Sequence, residues 1–205
     1  MADDRSSVFV VDDDVSVRES LEMLILSEGW QPELFDCAAQ FLARARTYEP
    51  SCLILDVGLP DLSGLELQQL VAADRADMPI IFITGNGDVP TTVRAMKAGA
   101  SEFLTKPFQQ EELIGAIRHA LARSRLALAR EAELSELRAR FDSLSPRERE
   151  VMTLVVSGLL NKQVGGELGL SEITIKAHRG KVMRKMRADS LAELVTIAAR
   201  LRGER

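Results

Sequence analysis

Three short apolar runs in the first half of the chain, each closed by an acid or a hydroxyl, restrict the fold more than any other feature. Val8-Phe-Val-Val-Asp12, Leu53-Ile-Leu-Asp56 and Ile80-Ile-Phe-Ile-Thr84 hold no polar residue before their last position. Unbroken apolar runs of this length suit central strands of a parallel sheet, covered on both faces. Gln31–Phe35 and Glu102–Thr105 are weaker candidates for the same sheet. Helical spacings lie between them, such as Val17, Leu21, Leu24 and Glu28 ahead of Gly29. This alternation predicts a doubly wound α/β domain with a five-stranded parallel sheet. In such a domain the ligand site lies beyond the carboxyl ends of the strands, where the pattern puts Asp12, Asp56 and Thr84.

The chemistry of those ends is acidic. Asp12 and Asp13 follow the first strand, Asp56 the third and Thr84 the fourth, while Lys106 stands before Pro107 after the fifth. Carboxylates brought together repel one another unless a cation sits among them, and hard oxygen donors in that number suit Mg²⁺. A carboxylate can act as nucleophile toward phosphorus and give an aspartyl phosphate. A nearby ammonium and hydroxyl would stabilise the oxygens of the transferring group. Taken singly, Lys106 is an ordinary surface charge and Thr84 an ordinary strand end. Their arrival together, in this order, is what points to phosphoryl chemistry.

From Gln109 to about Phe141 there is no proline and a single glycine, Gly115. Leu113, Ile117 and Leu121 would face the sheet, and Leu134, Leu137, Phe141 and Leu144 repeat at helical spacing. A last α/β helix therefore runs into a helical linker. The final 65 residues lack a strand pattern. Ser145, Pro146 and Glu148 open a helix with a capping box, and Gly158 closes it. Asn161 is expected to cap a second helix ending at Gly169, Ser171 a third running to about Arg187, and Ser190 a fourth. Short helices joined by glycine turns read as a helix-turn-helix.

Charge follows the same division. The net charge of −5 hides 18 acids against 8 bases in residues 1–108, and 8 acids against 12 bases in residues 141–205. Six of those bases fall between Lys176 and Arg187 with no acid among them. On the third helix, Ile175, His178, Val182 and Met186 form the buried stripe. Ala177, Gly180 and Arg184 lie opposite, bordered by Lys176 and Lys181. Small residues at the centre and bases at the borders let a helix sit deep in a major groove. Arg179 and Lys185 are expected to reach phosphates.

The quoted motifs resemble known families. Val11-Asp-Asp-Asp14, Leu55-Asp-Val-Gly-Leu-Pro60, Ile83-Thr-Gly85 and Leu104-Thr-Lys-Pro-Phe108 resemble the receiver domains of two-component response regulators, over roughly residues 6–122. The resemblance implies a flavodoxin-like receiver with Asp56 as phosphoacceptor, and Mg²⁺ held by Asp12, Asp13, Asp56 and the carbonyl of Gly58. It implies Thr84 and Lys106 as sensors of the phosphoryl group and Phe103 as the switch aromatic. Gly58 departs from the family, which more often has a larger side chain there, and this bears on the lifetime of the phosphoryl group. Leu144-Ser-Pro-Arg-Glu148, Asn161-Lys-Gln-Val164, Leu168-Gly-Leu-Ser171 and Thr174-Ile-Lys-Ala-His-Arg179 resemble the LuxR-type DNA-binding domain, adding Lys162 and Thr174 to the DNA-facing set. Together with Gly85-Asn-Gly-Asp-Val-Pro90, the chain resembles the FixJ subfamily. Gly165 and Gly166 depart from the alanine usual there, and with Gly180 each costs about 1 kcal/mol in a helix interior.

The expected organisation is a receiver over residues 1–122, a helical linker over 123–142 and a LuxR-type helix-turn-helix domain over 143–205. The resemblance implies a transcription regulator rather than an enzyme, usually an activator. Its partners would be a sensor histidine kinase, promoter DNA, a second copy once phosphorylated, and RNA polymerase. Dimerisation would use the face of the fourth helix and fifth strand, around Arg94, Lys97 and Phe103. A dehalogenase-like phosphatase also uses an aspartate nucleophile, but needs a second aspartate two residues on, where this chain has Gly58. A helical domain serving protein or RNA partners is the other rival, opposed by the groove-facing pattern around Lys176 and Arg184. No apolar run reaches the roughly 20 residues of a membrane span. Cys37 and Cys52 have no metal-ligand spacing, and Met1-Ala-Asp-Asp-Arg5 lacks the signature of a secretory signal. A cytoplasmic protein is expected.

Overall fold

The computed structural model describes residues 6–85 and 87–203. Asn86 of the fourth-loop motif lies outside the described residues, as do the first five residues, on which the expectation of no secretory signal rests. Two compact units divide between Ala129 and Arg130.

In the first unit, β1 (Ser7–Val11), β2 (Gln31–Phe35), β3 (Ser51–Asp56), β4 (Ile80–Thr84) and β5 (Glu102–Thr105) form a parallel sheet in the order β2-β1-β3-β4-β5. Helices α1 (Val15–Ser27), α2 (Ala38–Ala43), α3 (Gly64–Asp74) and α4 (Val89–Lys97) join the strands, and α5 (Gln110–Asp142) follows β5. The strand order reverses between β1 and β3, which opens the crevice where ligands bind in such sheets. Unbroken apolar runs are needed because successive strand residues enter different cores. Phe9, Val11, Leu53, Leu55 and Phe82 pack with Phe41 and Leu67 on one face. Val8, Val10, Ile54, Ile81 and Ile83 pack with Ile25, Leu113 and Ile117 on the other.

Register then positions the acids. Val11 lies opposite Leu55, so Asp12 and Asp56 leave the sheet side by side. Thr84 lies opposite Thr105, which brings Lys106 to the same rim. Asp14 caps α1 by accepting from the N–H groups of Ser16 and Val17.

Helix α5 supplies side chains to both units. Leu113, Ile117 and Leu121 belong to the sheet core, and buried Ser124 accepts the Ser51 N–H at 3.0 Å. Further along, Leu137 is buried in the core of the second unit with Phe141 packed against it. The segment expected as a linker thus contributes contacts at both of its ends.

The second unit adds α6 (Pro146–Val156), α7 (Asn161–Leu168), α8 (Glu172–Met186) and α9 (Leu191–Arg202), and no strand among its described residues. Ser145 and Glu148 form the expected capping box, and Ser171 and Ser190 cap α8 and α9. The expected cap at Asn161 is not made. Leu160 occupies the cap position, its N–H donating to Gln163 at 2.8 Å, while the Asn161 amide oxygen accepts from Arg179 at 3.1 Å. Asn161 is already the first residue of α7, one position past the cap, and its amide is turned to α8 instead. Val151, Val155, Val164, Ile175, Val182, Met186 and Leu194 fill the core of this unit. Among the described residues, no helix is long and apolar enough to cross a membrane.

Candidate functional site

At the carboxyl rim of the sheet, Lys106 reaches between two carboxylates. Its Nζ donates to Asp12 Oδ2 at 2.7 Å and to Asp56 Oδ1 at 3.1 Å. The backbone carries this arrangement: the Lys106 N–H donates to the Thr84 carbonyl at 2.8 Å, Arg18 donates to the Asp12 carbonyl at 2.6 Å, and the Asp14 N–H donates to Asp12 Oδ1 at 2.9 Å. The second Asp56 oxygen accepts the Gly58 N–H at 2.6 Å. A Cβ on Gly58 would stand 3.3 Å from that oxygen, so the bare glycine lets its backbone lie close to the carboxylate.

Asp12 is only 1% exposed. Burial raises its pKa above the ordinary aspartate value, against the opposing pull of the Lys106 hydrogen bond. Burial would also lower Lys106, but its hydrogen bonds to Asp12 and Asp56 outweigh that and raise the ammonium above its usual value.

The structure brings Asp12, Asp56, Gly58, Thr84 and Lys106 to one rim. Asp13, the next residue along, is exposed at its position just past β1. Among the described residues no three acidic, histidine or cysteine side chains are already gathered around one point. The donor set still fits Mg²⁺ in its chemistry, since the oxygens are hard and anionic and Mg²⁺ keeps several waters, needing few protein ligands. Phe103, half-buried on β5, packs against Phe82 with ring centroids 5.9 Å apart. Gly87 presses on the same place, since a Cβ there would come within 2.6 Å of the Thr105 methyl and 3.1 Å of the Phe103 ring. Sequence reading met Gly87 only as part of the fourth-loop motif and gave it no packing role, since its contacts come from a strand 16 residues further on.

The second site is on α8. Ile175, Val182 and Met186 are buried and His178 is half-buried, as the helical phase predicts. Lys176, Ala177, Gly180, Lys181 and Arg184 are exposed, and so is Lys162 on α7. Thr174 and Arg179 are half-buried and already engaged, Thr174 with the Ser171 hydroxyl at 2.8 Å and Arg179 with Asn161. Lys185 is exposed as well, and donates to the Ser143 carbonyl at 2.8 Å and to buried Glu148 at 2.7 Å. In this structure the Lys185 ammonium, expected at a phosphate, is engaged with an acid of its own domain. Ile173, absent from the expected set, is exposed on the stripe of Ala177 and Gly180. Its four-residue spacing from Ala177 is the signal that could have found it.

The turn between α7 and α8 depends on two glycines. Gly169 takes φ +65°, a left-handed conformation that closes α7, and the Leu170 N–H donates back to the Gly165 carbonyl at 2.9 Å. A Cβ on Gly165 would stand 2.7 Å from the Leu170 carbonyl oxygen. The glycine that departs from the family pattern at Gly165 thus admits the close approach of the turn, whereas Gly166 meets nothing.

Residues 8–118 match the family described as response regulator receiver domain, and residues 142–198 match bacterial regulatory proteins of the luxR family. Nodulation protein W of Bradyrhizobium diazoefficiens is 49% identical over 98% of this chain and 88% of its own length. The transcriptional regulatory protein FixJ of the same organism is 42% identical, with 96% of each chain covered. Among solved structures, the response regulator StyR superposes with a TM-score of 0.83 at 48% identity, covering 95% of this chain and 98% of that one.

Proposed function

The chain belongs to the response regulators that join a receiver domain to a LuxR-type DNA-binding domain, and on that premise we propose that phosphorylation of Asp56 controls how its helix-turn-helix engages promoter DNA. The observation that carries the chemical half is Lys106 held between Asp12 and Asp56. A sensor histidine kinase presents a phosphohistidine. An Asp56 carboxylate oxygen forms a bond to phosphorus as the bond from phosphorus to the imidazole nitrogen breaks, and the imidazole takes a proton as it leaves. The Gly58 N–H and the Lys106 ammonium already donate to Asp56, so two donors stand beside the atom where the phosphoryl oxygens will arrive. Asp12, Asp13, Asp56 and the Gly58 carbonyl are the groups that would hold Mg²⁺, which when bound supplies charge neutralisation at the phosphoryl oxygens. Lys106 and the Thr84 hydroxyl then sense the product, and Phe103 couples that change to the face of β5.

Exposed Val89, Val93 and Met96 follow one another at four and three residues along α4, beside Arg94 and Lys97. An apolar stripe of this kind invites cover, which supports pairing of two phosphorylated copies through this face. Pairing doubles the DNA contacts, and a bound activator then meets RNA polymerase in the cytoplasm.

The test is phosphorylation by a small phosphodonor with and without Mg²⁺, read by phosphate-affinity electrophoresis. Wild type is expected to shift only with Mg²⁺, and Asp56→Asn not at all. Equal labelling of the two proteins would remove Asp56 from the role.

A further inference from the structure

Ile173 is 83% exposed, more than any other large hydrophobic residue among those described. A solitary exposed apolar side chain is ordinary on a protein surface, so its surroundings decide what it means. Ile175, two residues on, is fully buried, and only helical phase separates the two. Ile173, Ala177, Gly180 and Arg184 are spaced four, three and four residues apart and all exposed, forming one stripe on the side of α8 away from Ile175, Val182 and Met186.

Two residues of this stripe are not explained by packing among the described residues. A Cβ on Gly180 would meet no atom within 4 Å, and no left-handed backbone calls for glycine there. Glycine nevertheless weakens the helix relative to alanine. Ile173 stands in the first turn of α8, where an acid would favour the helix dipole and a β-branched residue lowers helix propensity. One position is kept small and the other apolar, against the interest of the helix itself. An occupant of the outer face accounts for both.

That occupant must also suit the cations, since all six charged side chains from Lys176 to Arg187 are basic. Duplex DNA fits, and the N-terminal residues of a recognition helix are the ones that meet base edges. The thymine C5-methyl is the apolar feature of the major groove. We propose that Ile173 is a specificity-determining residue that packs on the methyl group of a thymine. It precedes Ala177 by about 6 Å along the helix axis, which places that thymine within about two base pairs of the step facing Ala177. Gly180 lets the helix come close enough for the contact. The proposal rests on the DNA-binding reading of α8 and adds a residue and a base to it.

The experiment starts from the duplex that the full-length wild-type chain selects from a random pool. Each thymine in turn is replaced by deoxyuridine, which removes only the methyl group. At one thymine the replacement is expected to weaken wild-type binding about fourfold, the loss of one buried methyl. Ile173→Ala is expected to bind the thymine and uracil duplexes equally, while Ile173→Val keeps part of the discrimination. Circular dichroism of the variants checks that α8 is intact. If Ile173→Ala discriminated at every thymine as wild type does, the proposal would be overturned and the domain reading left standing. If wild type selected no sequence at all, the DNA-binding reading would fall with it.

Discussion

The Lys185 ammonium, held by Ser143 and Glu148, ties the start of α6 to the end of α8. Glu148 is 4% exposed, and its carboxyl is held below the usual glutamate range, first by the Lys185 hydrogen bond and then by the Ser145 N–H. A pair with one buried and one partly exposed member is intermediate between surface and interior ion pairs. Lys185→Ala is therefore expected to destabilise the domain by about 1–2 kcal/mol in urea unfolding. The salt dependence of its DNA binding should stay that of wild type, whereas loss of a phosphate contact would flatten it. Because the folded pKa of Glu148 is depressed, its contribution is complete above the ordinary value of about 4.3 and is lost as pH falls through the folded value. Glu148→Gln should accordingly be less stable at neutral pH and show a shallower loss of stability in acid titration.

Among the elements, α7 allows the sharpest test, because two adjacent glycines answer in opposite directions. Gly166 is exposed and an added Cβ meets nothing, so Gly166→Ala is expected to stabilise the domain by up to about 1 kcal/mol. Gly165→Ala gains the same propensity but drives a Cβ to 2.7 Å from the Leu170 carbonyl, a backbone atom that cannot turn aside. Overpacking of that kind costs about 1–3 kcal/mol, so a net loss is expected, with a lower thermal midpoint. Equal midpoints for the two variants would mean that the turn is looser than this packing requires.

Across the whole molecule, α5 belongs to both units, and this decides where the chain can be divided. Leu137 is 7% exposed in the second core, and Arg140, Glu136 and Glu133 pair with the Met186 carbonyl, Arg187 and Arg200. A fragment of residues 130–205 keeps these contacts, and one of residues 143–205 loses them. Emptying a buried leucine site costs about 2–5 kcal/mol, much of the stability of so small a domain. The shorter fragment is expected to unfold at a far lower urea concentration, and matching midpoints would show that α5 is dispensable to that core.

The sequence by itself determined β1, β3 and β4, because a strand covered on both faces must be apolar throughout, and it determined the caps at Ser145, Ser171 and Ser190, because each bonds within three residues. The edge strands β2 and β5 were fainter, since their polar positions face outward. The candidate site was legible as a set of strand ends, Asp12, Asp56, Thr84 and Lys106. Only the tertiary structure decided how they meet: Lys106 between two carboxylates, and the Asp61 carboxylate reaching the Ala38 and Ala39 N–H groups to cap α2 from another loop. The same holds for Arg179 on Asn161 and Lys185 on Glu148. Local hydrogen bonds depend on spacing along the chain, which can be counted in a sequence. A charge at the tip of a long side chain instead takes whichever partner folding brings within about 3 Å, and that partner can stand anywhere in the chain.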